Sequence, residues 1–213
     1  MTLFILTSLF DFLGGIIGLT KRKSIKNKGL RFFPIFLLIQ FSNQFFTSGI
    51  VHFGRNTHMY NIFMVFDMTC FAFLFYHLLE KENFKKVVVI LTAVFYVFYL
   101  IDRFYLQADV GVYLSYSRSF LGFNLIVFSL LYFFNLFDFT KPEENLTRKA
   151  DFWIVIGIFF FYLTSTIILS ALNFIIQNPE TQKYYSPDTM KYLAITLYSF
   201  YIVGFLCHKP QIQ

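Results

Sequence analysis

Residues 3–19 read LFILTSLFDFLGGIIGL, an apolar run in which a single residue, Asp11, can carry a charge. The run is within the roughly 17–25 residues that cross a hydrocarbon core as a helix. The acid sits near its centre. A charged side chain at mid-bilayer costs about 2.5–3.5 kcal/mol on insertion scales, so such residues usually face a partner or a water-filled cavity. Whether this run spans a membrane, and what its acid faces, decides both the fold and the place to look for function.

The rest of the chain answers the first question. Of 213 residues, 57% are hydrophobic, 33 are Phe and 14 are Tyr, and the mean hydropathy is +0.59. Only 14% are charged, against roughly 25% in a soluble domain. Six further apolar runs follow, at about 32–50, 59–79, 84–101, 113–137, 152–176 and 189–207. They are long and do not alternate, which excludes the ~10-residue alternating segments of a membrane barrel. The predicted fold is an all-α membrane protein, a seven-transmembrane-helix bundle forming one domain over residues 1–213.

Charge placement gives the orientation. The connection after the first run holds Lys21, Arg22, Lys23, Lys26, Lys28 and Arg31. Lys81, Lys85, Lys86, Lys141, Arg148, Lys149 and Lys209 fall on the same side, making 13 basic residues. The other side holds four: Arg55, Arg103, Lys183 and Lys191. Basic residues concentrate in cytoplasmic loops, so the N-terminus is predicted outside and the C-terminus inside, which requires an odd number of spans. Lys21, Arg22, Lys23, Lys26, Lys28 and Arg31 are expected to lie on anionic headgroups, at about 1 kcal/mol each. The net charge of +6 therefore reflects inner loops and not a nucleic-acid surface. With no basic n-region and no small-residue cleavage site, the first run is expected to be an uncleaved anchor. Cys70 and Cys207 lie at different depths and are not expected to pair.

Each predicted helix carries a polar stripe at i, i+3/4, i+7 spacing. Thr7, Asp11, Gly14 and Gly18 share one in the first run; Gln40, Asn43, Gln44 and Thr47 in the second; Tyr192, Thr196 and Ser199 in the seventh. Small and hydroxyl residues at these positions are expected to be packing faces, with Phe turned to lipid. The charged positions carry more information. At ~1.5 Å per residue, Asp11 and Asp67 each lie ~12 Å below the outer end of their spans, and Arg118 ~8 Å below its own. Asp11, Asp67 and Arg118 are therefore expected to converge in the outer half of the bundle. Gln40, Asn43, Gln44 and Asn173, at similar or shallower depth, would complete a polar pocket opening outward. Asp11 is expected either to pair with Arg118 or to face water there.

Other motifs carry less. IDRFYL, at 101–106, stands at the outer end of the fourth run and not at the inner end of the third, so it is not a receptor Asp-Arg-Tyr box. No Lys sits in the middle of the seventh run, which excludes a retinal Schiff base. His52 and His58 are weak candidates for a metal, since a site needs three or four ligands; no metal and no cofactor are expected. No nucleophile elbow, phosphate loop or zinc-protease motif occurs, and the reading leans away from an enzyme. No internal repeat supports an inverted-repeat transporter.

Three blocks carry a resemblance: NTHMYNIFMVFDMTCFAFLFYHLL (56–79), YLSYSRSFLGFNLIVFSLLYFFNL (113–136) and DFWIVIGIFFFYLTSTIILSAL (151–172). Together they resemble small seven-helix integral membrane proteins of Bacteroidota, which are similar to the membrane input regions of some bacterial histidine kinases. The resemblance carries Asp67 over as the helix-three acid, where such proteins often have Glu. It departs at Leu121, where a further acid would follow the Tyr-Ser-Arg run. It implies a multi-pass protein of the bacterial cytoplasmic (inner) membrane and a non-enzymatic, sensor-like or accessory role. A small ligand would occupy the pocket, and a membrane or cytoplasmic partner protein would read the inner loops 20–31 and 138–151. No kinase or regulator domain is expected after residue 213. The alternative is a small solute or proton transporter or an oligomeric channel, including a defence-type membrane effector.

Overall fold

A computed structural model describes residues 2–47, 57–107, 113–137, 146–177 and 188–207. Seven α-helices account for most of them: α1 (Thr2–Lys21), α2 (Lys28–Thr47), α3 (Thr57–Leu78), α4 (Glu82–Ile101), α5 (Ser115–Leu136), α6 (Ala150–Gln177) and α7 (Asp188–Cys207). No strand occurs among the described residues. The helices coincide with the seven apolar runs to within a few residues at each end. All but α2 are long and apolar enough to cross a membrane. α2 has the length, but Lys28, Arg31, Gln40, Asn43 and Gln44 dilute its hydropathy.

Helix contacts follow a closed order. α1 packs on α2, α2 on α3, α3 on α5, α5 on α6, α6 on α7, and α7 returns to α1. α4 stands outside this ring against α3 and α5, where it is the least buried of the apolar helices. Tyr96 on α4 meets Thr69 on α3, hydroxyl to hydroxyl, at 2.8 Å.

The ring closes tightly at α1 because its inward face is small. A Cβ added to Gly15 would stand 2.6 Å from Leu38 Cδ2, and one added to Gly18 would stand 2.6 Å from Pro34 Cγ and 2.9 Å from the Phe205 ring. Without a hydrophobic drive between helices in lipid, close backbone approach through small residues supplies the packing energy. Pro34 lies in the second turn of α2, at one of these contacts.

Three junctions share one end of the ring. Asn27 caps α2, its Oδ1 accepting from Gly29 N at 2.9 Å and Leu30 N at 3.2 Å, while its Nδ2 donates to His77 O at 2.6 Å. The α1–α2 turn is thereby tied to the end of α3. Asn135 near the end of α5 faces the α3–α4 turn. Arg22, Lys23, Lys26, Lys28 and Arg31 are exposed at this end and Lys21 is half-buried. Trp153 donates its indole N–H to Thr147 O there, at 2.9 Å, an amphipathic residue of the kind enriched at membrane–water boundaries.

Two expectations about faces are corrected. Phe is not reserved for lipid: Phe33, Phe36, Phe71, Phe75, Phe95, Phe128 and Phe205 are buried. Lipid tails are as apolar as a protein core, so the bilayer exerts little pull on a phenyl ring, and edge-to-face contacts such as Phe33–Tyr201, at 4.9 Å between centroids, favour ring against ring. The polar stripe predicted on the seventh span also faces the wrong way. Tyr192 is 59% exposed and Thr196 is exposed, its hydroxyl donating back to Tyr192 O. The inward face of α7 is Leu197, Tyr198, Tyr201, Gly204 and Phe205.

Candidate functional site

The site begins with the start of α5, because its position fixes Arg118. The first turn of a helix leaves backbone N–H groups without partners. Here two neighbouring helices supply them. Asn61 on α3 accepts from Leu114 N at 3.2 Å. Asp102, wholly buried where α4 runs into a five-residue π turn (Asp102–Leu106), accepts from Ser117 N at 2.8 Å and from Ser117 Oγ at 2.5 Å. A carboxylate at a helix N-terminus also meets the positive end of the helix dipole. IDRFYL thus has a structural use that its motif-like appearance conceals: its Asp holds α5 in place one residue before Arg118. Asp102→Ala is expected to cost about 2 kcal/mol, since it leaves a buried N–H and hydroxyl unpartnered. Urea unfolding in detergent micelles would measure it; an unchanged midpoint would remove Asp102 from this role.

Arg118 then reaches α3. Its Nη1 donates to Asp67 Oδ2 at 3.1 Å, and the Gln40 side-chain amide on α2 donates to Asp67 Oδ1. Asp67 is thus engaged from both neighbouring helices of the ring. The remaining N–H groups of the Arg118 guanidinium make no hydrogen bond to a described residue, and Arg118 lines a central cavity of about 440 Å³. That volume is in the range of small-molecule pockets, about 300–1,000 Å³.

The cavity occupies the half of the ring away from the basic end, enclosed by α2, α3, α5, α6 and α7. Gln40, Asn43, Gln44, Asp67 and Arg118, all singled out in the sequence, line it. Gln44 Nε2 donates to the Tyr198 hydroxyl at 2.6 Å. Half of its 18 lining residues are aromatic, five of them tyrosines: Tyr60, Tyr113, Tyr162, Tyr198 and Tyr201. These were not picked out as site residues from the sequence. The signal was present in Tyr198 and Tyr201, which are three apart on one face of α7 with Phe205 a turn further on.

Asp11 departs from the expected arrangement. It has no exposed surface, is not among the residues lining the cavity, and does not pair with Arg118. α1 sits between α2 and α7 whereas α5 sits between α3 and α6, so Asp67 and not Asp11 is the acid within reach. His52 lies outside the described residues, as do the side chains of His58 and Asn173. Among the described residues no three His, Cys, Asp or Glu side chains gather as a metal site would require.

The arrangement provides an aromatic-walled chamber with one anchored cation presenting free N–H donors, and amide side chains beside it. It can bind and orient a small molecule that has an apolar body and a hydrogen-bond acceptor. Compared with known protein families, with curated proteins and with solved structures, the chain shows no significant match.

Proposed function

We propose that this chain is a seven-span protein of a bacterial cytoplasmic membrane, N-terminus outside and C-terminus inside, that binds a small amphipathic ligand and signals its presence to a partner. α2 counts as the seventh span in this reading because Gln40, Asn43 and Gln44, which lower its hydropathy, line the cavity instead of facing lipid. The observation that carries the binding function is Arg118, held by Asp67 with its other donors open to the cavity. The role is sensor-like and non-enzymatic, in keeping with the resemblance to histidine-kinase input regions. Ligand occupancy would favour one arrangement of the ring over another, which requires different affinity for the two. The exposed basic turn after α1 would rest on anionic headgroups and meet the partner.

A transporter or channel remains the second reading. Against it, the half of the ring towards the basic end is filled by Phe33, Phe75, Phe128 and Phe205, each 1% exposed or less, so the cavity does not continue as a pore through the described residues. Solute-specific or proton flux in proteoliposomes would favour that reading.

The test is ligand-dependent thermal stabilisation in detergent, using medium-chain ketones, quinones and amides. Binding at about 100 times Kd contributes about 2.7 kcal/mol, a shift of several degrees for a protein of this size. At least one such compound is expected to shift the wild type and to lose that shift in Arg118→Met. Shifts that persist undiminished in Arg118→Met would contradict the assignment.

A further inference from the structure

Apart from the cavity's ligand, the junction of α1, α2 and α7 holds buried oxygen atoms that have no hydrogen-bond partner among the described residues. Asp11 has no exposed surface, and neither of its carboxylate oxygens has a hydrogen-bond partner among the described residues. Ser8, three residues earlier on the same face of α1, is 5% exposed with its Oγ likewise unpartnered. On α7, Tyr201 is 1% exposed and its hydroxyl is also unpartnered. Tyr201 lies within electrostatic reach of Asp11, and its Cβ packs beside Gly14, one turn along α1. The antiparallel register that sets Gly14 against Leu37 brings the buried Asn43 of α2 to the level of Ser8.

Two features of this set point to an occupant. All of these unpartnered atoms are oxygens, and an ionised Asp11 would have no counter-ion among the described residues, since Arg118 is committed to Asp67. Further, neither hydroxyl oxygen stands in hydrogen-bonding geometry to the carboxylate. Oxygens that stay unbonded to one another suit a cation between them. Buried unsatisfied groups in a native fold commonly mark an ion or water, and hard oxygen donors suit hard cations. One carboxylate calls for a single positive charge. We propose that Asp11, Ser8 and Tyr201 bind a sodium ion at the α1–α2–α7 junction.

The experiment is thermal unfolding of the purified full chain in sodium, potassium or choline chloride at equal ionic strength, at pH 6 and pH 8. Sodium is expected to raise the wild-type Tm by about 5 °C over choline at saturation. Asp11→Asn is expected to remove the dependence, and Ser8→Ala to raise the half-saturating sodium concentration by about threefold or more. If Asp11→Asn does not fold, Ser8→Ala and Tyr201→Phe decide: titration curves identical to wild type would overturn the site. Equal Tm in sodium and choline at both pH values would overturn it as well. So would dependence on pH alone, which would make the occupant a proton.

Discussion

Asp67→Ala is expected to destabilise the protein by about 3 kcal/mol, the low end for removing one member of a buried pair. The cost comes from what remains. Arg118 would keep its charge without the counter-ion that holds it beside the cavity, and the Gln40 amide would lose its acceptor. The low end applies because the Arg118 side chain is 22% exposed and can recover some hydration. The double replacement Asp67→Leu with Arg118→Leu is expected to recover most of the loss, because a buried pair exchanged for apolar residues is often neutral or better. The pattern separates stability from binding: the double variant should unfold near the wild-type midpoint yet give no ligand-dependent shift. Chemical unfolding in micelles of the wild type, Asp67→Ala and the double variant checks both parts. A double variant no more stable than Asp67→Ala would contradict the pairing.

Gly18→Leu is expected to cost about 3 kcal/mol, the upper end for overpacking a well-filled contact. A first side-chain carbon there already meets Pro34 and Phe205 at 2.6 and 2.9 Å, so α1 would have to leave both α2 and α7. Gly14→Ala is the control on the same face. Its Cβ would meet Leu37, Ile202 and Tyr201 at 3.5–4.0 Å, ordinary contact, and alanine lowers the entropy cost of helical glycine by about 0.5–1 kcal/mol. It is therefore expected to be neutral or mildly stabilising. Equal losses in the two variants, measured by the same unfolding experiment, would show that α1 does not close the ring at Gly18.

The positions of the seven α-helices among the described residues were legible in the sequence because long apolar runs declare themselves by length and composition; six of the seven are long and apolar enough to cross a membrane. Which side of each helix faces inward was legible only where the residue chemistry is costly to expose. Asp67, Arg118, Gln40 and Gln44 meet that condition, and depth along the helix axis was enough to bring them to one level. Depth could not decide which of two acids Arg118 would find. Asp11 and Asp67 lie equally deep, and the choice rests on helix order around the ring, which short connections leave open. Hydroxyls gave no guide, since Thr and Ser can satisfy themselves on their own helix, as Thr196 does; the polar stripe of α7 misled for that reason. The aromatic walls were hidden by abundance: 47 Phe and Tyr in one chain (33 and 14) give no contrast between lipid-facing and cavity-facing rings. Asp102 was hidden differently, because a helix cap supplied from another helix leaves no local pattern.

On the function proposed, the chamber beside Arg118 is a water-accessible binding site entered from the outside of the membrane. Ala194, half-buried on α7, lines it. With Cys70 and Cys207 replaced, Ala194→Cys can be challenged with a charged thiol reagent that does not cross membranes, and Val203→Cys, a position 37% exposed on the surface of α7, serves as the lipid-facing control. Labelling of position 194 from the outer face, with position 203 unlabelled, is the expected result. Failure of position 194 to label from the outside, or its labelling only from the inside, would contradict an outward-facing site.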